Sequence, residues 1–171
     1  MRLFIAIQLN EAVKNALAEI QNALRCRGAG GNYTRLDNLH LTLAFIGDYS
    51  DPAWVLEVMQ SVPFRPFDIR LEGFGCFGDL YWCGIGGQTE LTAYIQRLRR
   101  ALAEAEIPFD RKRFSPHITL LRKATFRGNK MPGVTVPDAG MEATRVSLMR
   151  SERGKSGMIY TELESVEAIG S

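Results

Sequence analysis

The chain has 171 residues, 46% of them hydrophobic and 23% charged, which suits one large soluble domain or two small lobes. Its net charge of +2 is too small to call for a nucleic-acid partner by itself. The opening run, MRLFIAIQLNEAV, is broken by Gln8, Asn10 and Glu11, so it is too short for a signal-peptide core or a membrane span.

Arg2 to Leu9 is apolar and rich in strand formers, and predicts a buried first strand. Asn10 is a good helix cap, and Val13, Leu17, Ile20 and Leu24 recur at helical spacing, predicting an amphipathic helix from Glu11 to Arg25. Gly28 to Gly31 ends it, and a polar connection leads to Asn38. Asn38 to Gly47 predicts a strand. Asp51 and Pro52 then start a short helix ending near Ser61. Phe67, Ile69 and Leu71 alternate with Asp68, Arg70 and Glu72, as in a half-buried strand. Glycines 73, 75 and 78 predict a bend or hairpin, followed by a strand from Leu80 to Ile85. Thr89 caps a helix whose stripe is Leu91, Ile95, Leu98, Leu102 and Ala105. After a connection from Ile107 to Phe114 comes a strand starting near His117. Thr125 to Gly140 reads as a long irregular segment. Val146 and Leu148 belong to a penultimate strand, and Ile159 to Val166 to a last one, joined as a hairpin through Arg153 to Gly157.

The composition holds two histidines, and both stand in one pattern: His40-Leu41-Thr42-Leu43 and His117-Ile118-Thr119-Leu120. Alternate residues of a strand share a face. His40 with Thr42, and His117 with Thr119, would therefore face solvent while the apolar residues anchor each strand. The surroundings repeat as well. Each motif follows a strand, a helix and a connection, with Ile7 33 residues before His40 and Ile85 32 residues before His117. Such a repeat implies two lobes related by an approximate two-fold, with the histidine strands facing each other across a cleft.

A single strand histidine serves packing as readily as chemistry, but a facing pair can act as general acid and general base. The threonine hydroxyls can donate to an anionic group between them. Without carboxylate or thiolate neighbours the histidines make a poor metal shell. The three cysteines, Cys26, Cys76 and Cys83, lack CxxC spacing, which argues against a disulfide framework or structural zinc and fits a reduced, cytoplasmic protein. Basic residues crowd the second motif, among them Arg97, Arg99, Arg100, Arg111, Lys112, Arg113, Arg122, Lys123, Arg127 and Lys130. They suit a phosphate-bearing ligand or simply a solvated helix face and loop. Acid, base and oxyanion donors without a metal suit phosphoryl chemistry at a phosphodiester.

The two His-x-Thr-x motifs, with the extended stretches RLFIAIQL, HLTLAFIG and FSPHITLLR, resemble the two-histidine phosphoesterase superfamily over nearly the whole chain. Within it they are most similar to the RNA 2′,3′-cyclic phosphodiesterases, also labelled 2′-5′ RNA ligases. The resemblance implies one bilobal α+β domain over residues 1–171, with antiparallel sheets lining a central cleft and helices outside. It implies hydrolysis of RNA 2′,3′-cyclic phosphate ends, tRNA fragments among them, to 2′-phosphates by a monomer without metal or cofactor. The same site could join RNA ends reversibly through a 2′-5′ linkage, without a nucleotide cofactor. By motif match His40 is the proton donor to the departing 3′ oxygen, His117 the base that activates water, and Thr42 and Thr119 bind phosphate.

The resemblance also implies that Phe45 stacks on a base or ribose and that Arg122 meets phosphate. Each lies five residues after its histidine, an odd offset that places it on the opposite face unless a twist or bulge re-aims the strand. Otherwise they are a core phenylalanine and a surface arginine. Two rival readings remain. One is a phosphodiesterase for a small cyclic nucleotide or 2′-5′ oligonucleotide. The other is a non-catalytic RNA-binding module using aromatics such as Tyr33, Phe45 and Phe126.

Overall fold

The computed structural model describes residues 1–87, 89–126 and 133–170. Among them the strands are β1 (Arg2–Gln8), β2 (Gly30–Tyr33), β3 (His40–Asp48), β4 (Phe67–Phe77), β5 (Leu80–Gly86), β6 (His117–Thr125), β7 (Gly140–Ala143), β8 (Arg145–Gly154) and β9 (Gly157–Glu167). The helices are α1 (Glu11–Cys26), α2 (Pro52–Gln60) and α3 (Thr89–Glu104).

Each helix follows from local signals. Asn10 Oδ1 accepts the Val13 N–H at 3.0 Å, satisfying one of the donors left over at the start of α1. Asp51 does the same for Trp54 N–H at 3.1 Å, with Pro52 in the first turn of α2. The stripe Leu91, Ile95, Leu98 and Leu102 of α3 is buried. This helix begins at Thr89 itself, rather than after it.

The strands form two antiparallel sheets, with orders β3-β1-β8-β9 and β2-β6-β5-β4-β7. The architecture is mixed α+β. The positions of β3, β1, β8 and β9 in the first sheet match those of β6, β5, β4 and β7 in the second. The lobes are not the two halves of the chain, because the first sheet draws β8 and β9 from its far end. One apolar core joins both sheets to the helices, including Leu3, Ile5, Ile7, Leu17, Leu41, Leu98, Ile118 and Leu120. Phe4, Ala6 and Met149 form a smaller cluster on the other face of the first sheet.

Two strands depart from the sequence reading. GGNY forms β2, which pairs with β6, and GMEA forms β7, which pairs with β4. Both are edge strands of four residues held by backbone pairing, without the apolar alternation that marks a strand in a sequence. Of the segment expected to be irregular, Thr125 closes β6 and Gly140 opens β7, and residues 133–139 carry no helix or strand. Residues 127–132, with Arg127 and Lys130, lie outside the described residues.

The lobes are cross-braced. Helix α1 follows β1 in the first sheet, yet its buried Gln21 reaches the second. Gln21 Nε2 donates to Leu120 O at 3.0 Å and to Thr34 O at 2.8 Å. Thr34 N donates to Leu120 O, and Asp110 N donates to Phe45 O at 2.8 Å. The connection into each histidine strand thus grips the histidine strand of the other lobe.

Candidate active site

Both histidine strands open with the same local device. His40 Nδ1 lies 2.7 Å from Asn38 O, and His117 Nδ1 lies 2.7 Å from Ser115 O. A carbonyl only accepts, so each Nδ1 carries the proton and donates it, leaving Nε2 for other work. His40 Nε2 sits 2.8 Å from Thr42 Oγ1, its neighbour on the same face.

The strands break their alternation at matching places. In β3, Thr42 pairs with Ala6 and Ala44 with Ile5, so Leu43 is an extra residue. In β6, Thr119 pairs with Trp82 and Leu121 with Tyr81, so Leu120 is extra. Two consecutive residues are buried at each bulge, Leu43 with Ala44 and Leu120 with Leu121. A bulge shifts the phase of every later side chain. Phe45 and Arg122 consequently share the face of their histidines, removing the objection from strand parity.

All six residues singled out from the sequence border one cavity of about 140 Å³: His40, Thr42, Phe45, His117, Thr119 and Arg122. At ~30 Å³ per water this holds roughly four or five waters, enough for a phosphoryl group and part of its sugar. Phe4, Thr34, Asn38, Ser151 and Tyr160 complete the lining. Both sheets contribute, and the lining contains hydroxyls, one guanidinium and no carboxylate, which suits an anion. Of the basic cluster, Arg122 borders the cavity. Arg97 donates instead to Pro63 O, and Arg99 to the carbonyls of Asp110 and Lys112. Among the described residues no three His, Cys, Asp or Glu side chains are grouped to hold a metal ion.

Aromatic rings fix the imidazoles. Phe4 lies 5.0 Å from His40, and Tyr160 meets it edge-on at 5.1 Å. Phe77 meets His117 edge-on at 5.4 Å, with Trp82 at 6.3 Å. Burial lowers the pKa of His40, the Asn38 carbonyl opposes this by holding the Nδ1 proton, and the positive charge of Arg122 lowers it further. Burial thus holds His40 toward its neutral form, and an anion beside it favours a second proton.

Phe4 and Tyr160 were missed in the sequence. Phe4 sits in a strand that is apolar on both faces, so no alternation marks it. Tyr160 reaches the site only because β9 joins the first sheet through β8, where it pairs with Ser151. The aromatics Tyr33 and Phe126 do not join the site: Tyr33 donates to Ala29 O at 2.7 Å beneath Arg25, and Phe126 packs edge-on against Tyr81.

The family model of the 2′-5′ RNA ligase superfamily matches residues 9–155. The chain belongs to the 2′-5′ RNA ligase superfamily. A Thermotoga maritima protein named RNA 2′,3′-cyclic phosphodiesterase is 34% identical, covering 95% of this chain and 93% of its own. A Thermus thermophilus crystal structure superposes with a TM-score of 0.79 at 30% identity, over 99% of both chains. The structure of E. coli LigT in apo form gives 0.81 at 25% identity, over 98% of this chain and 96% of LigT, and LigT has also been crystallised with 3′-AMP. The chain is thus an enzyme with the phosphoesterase fold of this superfamily. Among the described residues no helix is long and apolar enough to cross a membrane.

Proposed function

We propose that this enzyme opens 2′,3′-cyclic phosphates at RNA 3′ ends to 2′-phosphates, by acid–base catalysis between His40 and His117 without a metal. The observation that carries the proposal is the matched pair of imidazoles on one cavity, each with Nδ1 tied to a carbonyl so that Nε2 is the nitrogen for proton transfer, at His40 beside the Thr42 hydroxyl. The names of the relatives and the 3′-AMP bound by LigT support the choice of substrate.

In the hydrolytic direction His117 Nε2 takes a proton from water as the water oxygen bonds to phosphorus. The bond from phosphorus to the ribose 3′ oxygen breaks, and His40, doubly protonated, gives its Nε2 proton to that oxygen. The anionic cyclic phosphate offsets the burial that lowers the His40 pKa, since a negative charge beside a buried imidazole favours the imidazolium. Thr42, Thr119 and Arg122 hold the phosphoryl oxygens as their charge builds, and Phe45 stacks on the terminal base or ribose. With the 5′ hydroxyl of a second RNA end in place of water, the same steps join that end to the cyclic phosphate through a 2′-5′ linkage, and run backwards they cleave that linkage again. The enzyme acts as a monomeric bilobal unit, residues 1–171, in the cytoplasm, where its three thiols stay reduced and tRNA fragments with cyclic ends are among its substrates.

Purified enzyme is given an oligoribonucleotide ending in a 2′,3′-cyclic phosphate, with and without a chelator. The expected product is a 2′-phosphate, formed at the same rate in both. His40→Ala and His117→Ala should each lose roughly 10²–10⁴-fold in rate while melting as folded proteins. Full activity in either variant, or loss of activity to the chelator, refutes the mechanism.

A further inference from the structure

Two exposed phenylalanines flank the histidine pair, one in each sheet. Phe45 follows His40 on β3 and borders the cavity, 37% exposed, with the Arg2 guanidinium 5.2 Å from its ring centre. Phe77 ends β4, is 51% exposed, and stands outside the cavity lining against the ring of His117. It is braced from behind. Trp82 lies 5.3 Å from Phe77 and rests so closely on Gly75 that a Cβ there would come within 2.5 Å of the indole. A half-exposed phenylalanine on a rigid aromatic base, at the rim of a polar site, is apolar surface that a flat ligand would cover.

We infer that Phe77, backed by Trp82, is a nucleobase shelf for the nucleotide preceding the cyclic end. This rests on the RNA reading proposed above. The cavity has room for the terminal phosphoryl group and part of its ribose and is bordered by Phe45, so the terminal nucleoside lies against Phe45. A chain leaving the cavity past His117 next meets Phe77. Every base has a flat face, so such stacking confers a preference for longer RNA with little preference for sequence. The shelf assigns this protein a second nucleotide subsite and makes it an enzyme of RNA ends rather than of free cyclic mononucleotides.

The test compares kcat/KM for cytidine 2′,3′-cyclic phosphate with that for a dinucleotide ending in the same group. The unmodified enzyme should favour the dinucleotide by roughly tenfold or more, the scale of one stacked base. In Phe77→Ala the ratio should collapse toward one, chiefly through KM on the dinucleotide, and Phe77→Trp should restore it. A ratio unchanged in Phe77→Ala overturns the shelf, even if both rates fall together, because Phe77 would then act only by packing on His117. A parent ratio near one overturns it too. An enzyme that opens neither substrate fails the functional reading itself and takes the shelf down with it, whereas an enzyme that opens both with an insensitive ratio loses the shelf alone.

Discussion

Gln21 offers the sharpest quantitative check on how the site is held. It is 3% exposed on α1, and its amide donates to Leu120 O and Thr34 O. Leu120 is the extra residue that turns Arg122 onto the cavity, and Thr34 borders that cavity. Gln21→Met keeps the length of the side chain and removes both donors. Leu120 O keeps the Thr34 N–H as a partner, so it loses about 1 kcal/mol. Thr34 O loses its amide partner at a half-buried position and contributes about 1–2 kcal/mol more. The sum, about 2–3 kcal/mol, lowers Tm by roughly 4–12 °C in a chain of this size. At 25 °C the variant remains folded, but the bulge is less firmly set, so affinity for inorganic phosphate should fall several-fold, with Arg122 and Thr119 the groups affected. Circular-dichroism melts and phosphate titration by calorimetry measure the two effects. Gln21→Glu adds a signed control. Two carbonyl oxygens facing a buried carboxylate raise its pKa above the unfolded value of about 4.3. Its deficit should therefore be full near pH 7 and shrink as pH falls toward that value. A Gln21→Met protein that melts within 1 °C of the parent and binds phosphate equally well refutes this account of the bulge.

Other expectations follow from the same geometry. The pKa of His40 is lowered by burial, so the unfolded chain takes up a proton near pH 6.5 that the folded chain refuses. Stability should fall as pH drops below that value and level off below the lowered folded pKa. Melts from pH 8 to 5 should show a weaker acid loss in His40→Asn than in the parent, and saturating phosphate should blunt the loss in the parent alone. Arg122→Ala should weaken phosphate binding by about 1.5–3 kcal/mol and ease the downward pressure on the His40 pKa, which an NMR titration of the imidazole would register as an upward shift. Thr42→Val removes the hydroxyl beside His40 Nε2 and should lower kcat at least as much as it raises KM, as steady-state kinetics on the dinucleotide ending in a 2′,3′-cyclic phosphate would show.

Much of this architecture was legible because strand and helix periods differ. His40 with Thr42, and His117 with Thr119, obey simple alternation, and placing them on one polar face required nothing more. Phe45 and Arg122 required the bulges. Their trace in the sequence is the doubled apolar pairs Leu43-Ala44 and Leu120-Leu121, where one apolar residue was due, and without pairing partners such a doublet could equally mark a strand buried on both faces. Tyr160 and Ser151 depend on β8 and β9 joining the first sheet, a long-range choice that no local pattern encodes. Gln21 looked like one more polar residue of an amphipathic helix. Only the crossing of α1 onto the second sheet turns it inward.

The assignment of β8 and β9 to the first sheet also sets an order of events on the ribosome. His40 is made early, but the strand before it, β1, keeps one edge bare until β8 arrives more than a hundred residues later. The first histidine likewise waits for the connection carrying Asp110 and for Tyr160 on the last strand. A growing chain therefore carries its His-x-Thr strand without a working site until nearly the whole sequence has emerged. Through that interval the bare edge of β1 invites pairing with another chain. Docking of the β8–β9 hairpin covers the β1 edge and moves the border of that sheet out to β9.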